Sequence, residues 1–142
     1  TPMFTLFPYT TLFRSFPQVL KMSMMVNEQV AVQATRQLNQ DFEGTLNAVT
    51  SGYGAIDILQ KGIHKAWGLK QLMQKWKIQE QDIMAFGDSE NDIEMLQLAG
   101  ISYAMENADP RVKTVADHLA PANTEAGVLK ILENYLSKGA CI

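Results

Sequence analysis

Beyond residue 16 the hydrophobic and polar positions fall into blocks whose period switches between that of a strand and that of a helix. Residues 19–26, rich in methionine and valine, suit a strand. Asn27 stands where a helix would be capped, and the apolar positions Val30, Ala34, Leu38 and Phe42 recur every four residues after it. That spacing turns Gln33, Arg36, Gln37 and Gln40 to water. Residues 46–53 and 56–59 read as two more strands, with Gly52 and Gly54 loosening the join. Gly62 precedes a helix over about 64–76, with Ala66, Leu69, Leu72 or Met73, and Trp76 on one side. After the polar gap 77–81, a central strand begins near Asp82 and runs through Ile83, Met84, Ala85 and Phe86, an apolar run typical of a strand buried on both faces. It breaks at Gly87 into an acid-rich turn and resumes with helical spacing at Ile93, Leu96 and Ala99, closed by Gly100. Residues 101–105 form a strand. Asp109 is an N-cap with Pro110 at the first helical position. Residues 118–120 form a brief strand, and Asn123 or Thr124 caps a last helix through Val128, Ile131, Leu132, Tyr135 and Leu136. From about Ile56 onward, strands and helices alternate, which predicts an α/β fold with a parallel sheet covered by helices.

Composition narrows the function classes. The 142 residues are one domain's length, and 46% of them are hydrophobic, enough for a modest core. A net charge of −3 with scattered Lys and Arg argues against nucleic acid or an anionic membrane as partner. No apolar run approaches the roughly 18 residues of a membrane span, and no basic stretch leads an apolar one as in a signal peptide. The lone cysteine, Cys141, supplies neither a disulfide framework nor a thiolate zinc site and fits a reduced, cytoplasmic setting. Residues 1–15 stand apart: Thr5 to Ser15 has no period, and its eleven residues match the in-frame translation of a common short-read sequencing adapter. We expect this stretch to be an assembly artefact outside fold reasoning, which resequencing of the locus with independent primers tests.

The candidate chemistry lies in Gly87-Asp88-Ser89-Glu90-Asn91-Asp92. A strand emptying into a polar turn and then a helix is where open α/β sheets place their sites. Acids at 88, 90 and 92 imitate the start of an EF-hand loop, but Ile93 occupies the position that needs Gly and no Glu follows at the twelfth. Ordinary turn and capping roles would also account for Asp, Ser and Asn here. Lys65, at the start of the preceding helix, changes the balance. Carboxylates alone repel phosphate, whereas a magnesium ion on Asp88 together with the Lys65 ammonium would attract it. His64 has no Cys or second His near it in sequence, which disfavours a ligand role, and Trp67 and Trp76 suit packing better than stacking.

Two segments, Gly62-Ile-His-Lys65-Ala-Trp-Gly-Leu69 and Gly87-Asp88-Ser-Glu-Asn91-Asp92-Ile-Glu-Met-Leu96, resemble the third and fourth signature motifs of the haloacid dehalogenase superfamily. The GDSxND form resembles its Cof-type sugar-phosphate phosphatases, as do Val49–Asp57, Met105–Ala108 and Asn123–Val128. The resemblance covers roughly residues 18–138. It implies a Rossmann-like parallel sheet, with residues 16–53 as the rear of an α+β cap domain and 54–142 as the rear half of the core. It further implies Mg2+ as cofactor, a small phosphorylated metabolite as substrate, Asp88 as metal ligand, Asp92 supporting the metal from behind, Lys65 neutralising the phosphate and Asn91 contacting it. In such enzymes an aspartate of a DxDGT motif attacks phosphorus and a second one acts as acid and base. Neither DxD nor DGT occurs in this sequence. The resemblance therefore implies a phosphatase whose nucleophile is missing from this truncated chain, which is then expected not to turn over. Glu106, where the family often has glycine, is a smaller departure.

Overall fold

The computed structural model describes residues 21–137. The expected artefact at 1–15, the start of the strand expected at 19–26, and Cys141 lie outside them.

Three strands, β1 (Lys21–Met25), β2 (Leu46–Gly52) and β3 (Ala55–Gln60), form an antiparallel sheet in the order β1-β3-β2. The register aligns Met22 with Ile58 and Ala48, and Lys21 with Leu59 and Asn47. Because side chains alternate, one face carries Met22, Met24, Ile56, Ile58, Leu46 and Ala48, and the other carries Lys21, Ser23, Asp57 and Asn47. The apolar face packs on helix α1 (Glu28–Asp41), where Ala31 and Leu38 complete the core. Asn27 caps this helix as expected, accepting from the backbone N–H of Gln29 at 2.9 Å. The buried stripe is rotated from the expected one. It runs through Ala31, Thr35 and Leu38, while Val30 is exposed. A strict four-residue repeat drifts about 40° per step on a 3.6-residue helix, so Val30 and Phe42 cannot share a face.

At the β2–β3 turn, Gly54 has φ +77°, and a Cβ there would lie 2.2 Å from the carbonyl oxygen of Val26. Only glycine satisfies both the left-handed backbone and this approach. Strand β3 itself overturns an expectation. It pairs with both β1 and β2, so the antiparallel sheet extends to Gln60 and the strand-helix alternation begins only after it. Propensity locates a strand but does not choose its partner.

The second lobe comprises α2 (Lys65–Trp76), β4 (Met84–Gly87), α3 (Ile93–Leu98), β5 (Ile101–Met105), α4 (Pro110–Lys113), β6 (His118–Ala120) and α5 (Gly127–Ser137). Its parallel sheet has the order β4-β5-β6, the α/β architecture expected. Phe86, Tyr103 and His118 align across the strands, with Phe86 stacked on Tyr103 at 5.2 Å. Ala85, Leu96, Ala104, Met105, Val112 and Ala120 form the core. Asp109 caps α4 through the N–H of Arg111 at 2.8 Å, with Pro110 behind it. Gly100 is glycine for a different reason than a left-handed cap: a Cβ there would stand 2.5 Å from Gln81 Cα. Neither Asn123 nor Thr124 caps the last helix with its side chain. Residues Asn123–Glu125 form a 3-10 turn, and Ala126 takes a left-handed conformation before α5. Helices α2 and α5 leave Trp67, Leu72, Trp76, Leu129 and Leu136 exposed.

Asp117 fastens β5 to the segment before β6. Its carboxylate accepts from Ser102 N–H at 2.9 Å and Ser102 Oγ at 2.7 Å. The Ser102 hydroxyl and amide hold the Asp117 carboxyl below its ordinary value of 3.8. Asp109, bonded to Arg111, is lowered as well. A carboxyl lowered in the folded state stabilises it above the unfolded value, and that stability is lost as pH falls through the folded value. Urea unfolding midpoints are therefore expected to fall between about pH 5 and pH 3. Asp117→Asn should have a lower midpoint near neutral pH and a flatter acid decline. A wild-type decline in the variant would discount this carboxylate.

Candidate functional site

The site forms where β4 ends. His64 caps α2, its Nδ1 accepting from the backbone N–H of Trp67 at 3.3 Å, and so fixes Lys65 at the first helical position. Strand β4 stops at Gly87, and the chain passes through a 3-10 turn, Glu90–Asp92, into α3. Asp92 folds back beneath this turn. Its Oδ2 accepts the backbone N–H groups of Asp88 at 3.0 Å and Ser89 at 3.1 Å, and its Oδ1 pairs with Lys65 Nζ. The carboxylate is buried, so every one of these partners offsets the loss of water. Gly87 makes room for it: a Cβ there would lie 2.6 Å from Asp92 Cβ.

Lys65 Nζ also donates to Asn91 Oδ1 at 3.1 Å. That bond turns the Asn91 amide nitrogen away from the lysine, and among the described residues its two N–H donors and one of the three ammonium donors have no hydrogen-bond partner. Asp88 is exposed. One of its oxygens accepts from Ser89 Oγ at 3.1 Å, and no described cationic side chain pairs with it. All four residues singled out in the sequence, Lys65, Asp88, Asn91 and Asp92, therefore meet at this one strand end. The turn-capping role and the candidate chemistry turn out to share the same atoms.

The donor set bears on the implied metal. Asp88 offers a hard oxygen to a cation, whereas both oxygens of Asp92 are already engaged. No group of three or more His, Cys, Asp or Glu side chains among the described residues could hold a metal ion. The site thus fits Mg2+ as one carboxylate ligand, in keeping with an ion that takes one or two carboxylates and fills its remaining positions with water and phosphate oxygens.

Sequence reasoning missed the wall above this floor. A cavity of about 130 Å3 is bounded below by His64, Lys65, Asn91 and Glu94 and above by Lys21, Asn47 and Asp57 of the antiparallel sheet, with Val49 and Leu59 between them. Asp57 is buried, which pushes its carboxyl up, yet Ser23 at 2.6 Å, Lys21 at 3.2 Å and Ser51 together hold it below the usual range. The alternation of polar positions 21, 23, 47 and 57 along their strands was the signal that could have found this face. Glu90 and Arg111, paired at 2.8 Å beside the turn, were not singled out as partners.

A parallel sheet with a lysine, an amide and two carboxylates gathered at its central turn defines the class of open α/β proteins that bind ligands at the carboxyl ends of their strands. Within that class the chain belongs to the haloacid dehalogenase-like hydrolase family, whose model matches residues 11–132. The recognition drawn from the motifs, as a Cof-type member, is borne out. The 5-amino-6-(5-phospho-D-ribitylamino)uracil phosphatase YbjI of Escherichia coli is 37% identical over 120 residues, 84% of this chain and 44% of that protein. A phosphoglycolate phosphatase of Methanothermobacter thermautotrophicus is 30% identical over 111 residues, 78% of this chain and 49% of that protein. The solved structure of SMU.1108c from Streptococcus mutans matches with a TM-score of 0.77 at 43% identity, covering 83% of this chain and 45% of that one. The chain spans less than half the length of each of these relatives.

Gly87→Ala is expected to cost about 1–3 kcal/mol, as overpacking against a fixed neighbour does. Gly68, inside α2 with nothing within 4 Å of its Cβ position, provides the contrast. Gly68→Ala should stabilise by about 0.5–1 kcal/mol. Urea unfolding of both variants checks the pair, and equal stability of wild type and Gly87→Ala would show that Asp92 is not tightly held.

Proposed function

We propose that the described site is the metal- and phosphate-binding side of an enzyme that hydrolyses small phosphate monoesters, sugar phosphates foremost, with Mg2+ in a cytoplasmic setting. The observation that carries this reading is the junction of Lys65 with Asn91 and Asp92 at the end of β4. Among the described residues Lys65 keeps one donor unpaired and Asn91 two, which supports donation from both to the oxygens of a phosphate. Asp92 fixes both the lysine and the backbone of Asp88. It supports a metal through that backbone rather than as a direct ligand. Asp88 would hold Mg2+, which when bound supplies positive charge to the phosphoryl oxygens. The relatives named as phosphatases support the reaction class. The antiparallel lobe would be part of a cap and the parallel lobe part of a core. No helix among the described residues is long and apolar enough to cross a membrane.

The attacking aspartate and the acid-base aspartate of the family's reaction belong to a DxDGT motif, and these 142 residues contain neither DxD nor DGT. That absence also favours a second reading, a phosphate- or sugar-binding module without turnover. Sequence upstream of Phe16 at the locus separates the two, since an in-frame DxDGT motif there supports the enzyme.

In a screen of phosphate esters with Mg2+, the purified chain is expected to show no turnover while still binding inorganic phosphate. Lys65→Ala and Asn91→Ala should each weaken that binding about tenfold or more, the value of a hydrogen bond involving a charged group. Titration by 31P NMR measures it. Unchanged affinity in both variants would remove the phosphate site, and turnover abolished in Asp88→Ala would overturn the inactivity expected of this chain.

A further inference from the structure

The two lobes have separate hydrophobic cores that share no residue. The surface of the antiparallel sheet over Lys65 and Asn91 mixes polar and apolar side chains, Lys21, Asn47 and Asp57 beside Val49 and Leu59. With no core residue shared between the lobes, motion of one relative to the other is the default expectation unless something holds them. Glu90 stands at this joint. Thr50 of β2 donates its hydroxyl to Glu90 Oε2 at 3.1 Å, across the gap between the lobes. Arg111 grips the same carboxylate from the other side, with Nη1 to Oε1 at 2.8 Å and Nη2 to Oε2 at 3.4 Å. Asp109 holds Arg111 in turn, through Nε at 3.1 Å and Nη2 at 3.2 Å, and the Asp109 N–H donates to the Asp88 carbonyl at 3.0 Å. An unbroken run of hydrogen bonds thus links the antiparallel sheet to the backbone of Asp88.

We propose that Glu90 is a positioning residue that clamps β2 to the turn carrying Asp88 and Asn91, and so sets the height of the Asn47–Asp57 roof above the Lys65–Asn91 floor. The fork of Arg111 gives the carboxylate one orientation, and Thr50 donates from the first lobe to Oε2, which it shares with Arg111 Nη2. A ligand that touches only the floor is indifferent to the clamp. One that spans floor and roof depends on it. This rests on the reading of Lys65 and Asn91 as the phosphate floor, though the clamp itself can be measured without any ligand.

The experiment places nitroxide labels at Gln33→Cys on α1 and Gln97→Cys on α3, in the full chain with Cys141→Ser, and reads the distance distribution between the lobes. The wild-type background is expected to give a narrow distribution. Glu90→Ala and Thr50→Val should each broaden it, whereas Glu90→Gln, which keeps an acceptor for Thr50, should broaden it less. Salt of about 1 M, which screens the Glu90–Arg111 pair, should broaden the wild-type distribution as well. In binding titrations, inorganic phosphate should bind Glu90→Ala and Thr50→Val as it binds wild type, while ribose 5-phosphate should weaken about fivefold in both. Wild-type distance widths in both variants and in high salt would overturn the clamp, as would wild-type affinity for ribose 5-phosphate in both variants. If wild type binds no phosphate at all, the reading of the floor fails and takes the ligand effect with it, while the distances still decide the clamp. If either variant fails to fold, the salt titration of the wild-type background decides it.

Discussion

A buried carboxylate is tolerated only where its charge is met from several sides, and Asp92 is the position on which the second lobe's chemistry depends. Lys65 reaches it from α2, and two backbone amides of the turn reach it from above. Gly87 yields the space of a side chain to admit it. Each partner is constrained in return. The lysine is drawn from a flexible solvent-facing stem to one place, the turn is held in the shape that exposes Asp88, and α3 begins in the direction that Asp92 dictates. Removing only one partner of such a group leaves a charge without compensation, which is why this arrangement is cooperative rather than a sum of contacts.

Around that point the molecule divides its labour between apolar and polar surface. Each lobe buries its own modest core, and the two meet around a cavity lined by both polar and apolar side chains. The alternation of strand side chains makes this possible. The same three strands that hide Met22, Ile56 and Leu46 against α1 present Lys21, Asp57 and Asn47 to the cavity. A ligand between the lobes would meet the Lys65 ammonium, the Asn91 amide and the Glu94 carboxylate below, and the Lys21–Asp57 pair, Asn47, Val49 and Leu59 above. The joint that sets their spacing is hydrogen-bonded, so it responds to salt and to substitution in ways a hydrophobic seam would not.

The likeness to known phosphatases covers most of this chain and less than half of theirs. Among the described residues β4 pairs on one side only, with β5, and the outward faces of α2 and α5 keep large apolar side chains in water. The floor of the site is well formed without further residues because its bonds are local to α2 and the β4 turn. Neither DxD nor DGT occurs in these 142 residues.

Much of this was legible in the order of residues. The strands at 21–25, 46–52 and 101–105 and the caps at Asn27 and Asp109 follow from period and local hydrogen bonding, which act over a few residues. The four candidate residues could be singled out because their types and spacing resemble a known pair of motifs, and the structure brings them to one strand end. Other features depend on partners far away in the chain. Propensity could not assign β3 to the antiparallel sheet, since a strand's sequence records its burial and not its neighbour. The rotation of the buried stripe on α1 was decided by which sheet face it meets. The glycine at 100 answers to the backbone of Gln81, and the meeting of Thr50, Glu90 and Arg111 joins residues up to 61 positions apart, 50 to 111. Local chemistry fixed the elements and their ends; only packing in three dimensions decided which polar groups would face each other across the cavity.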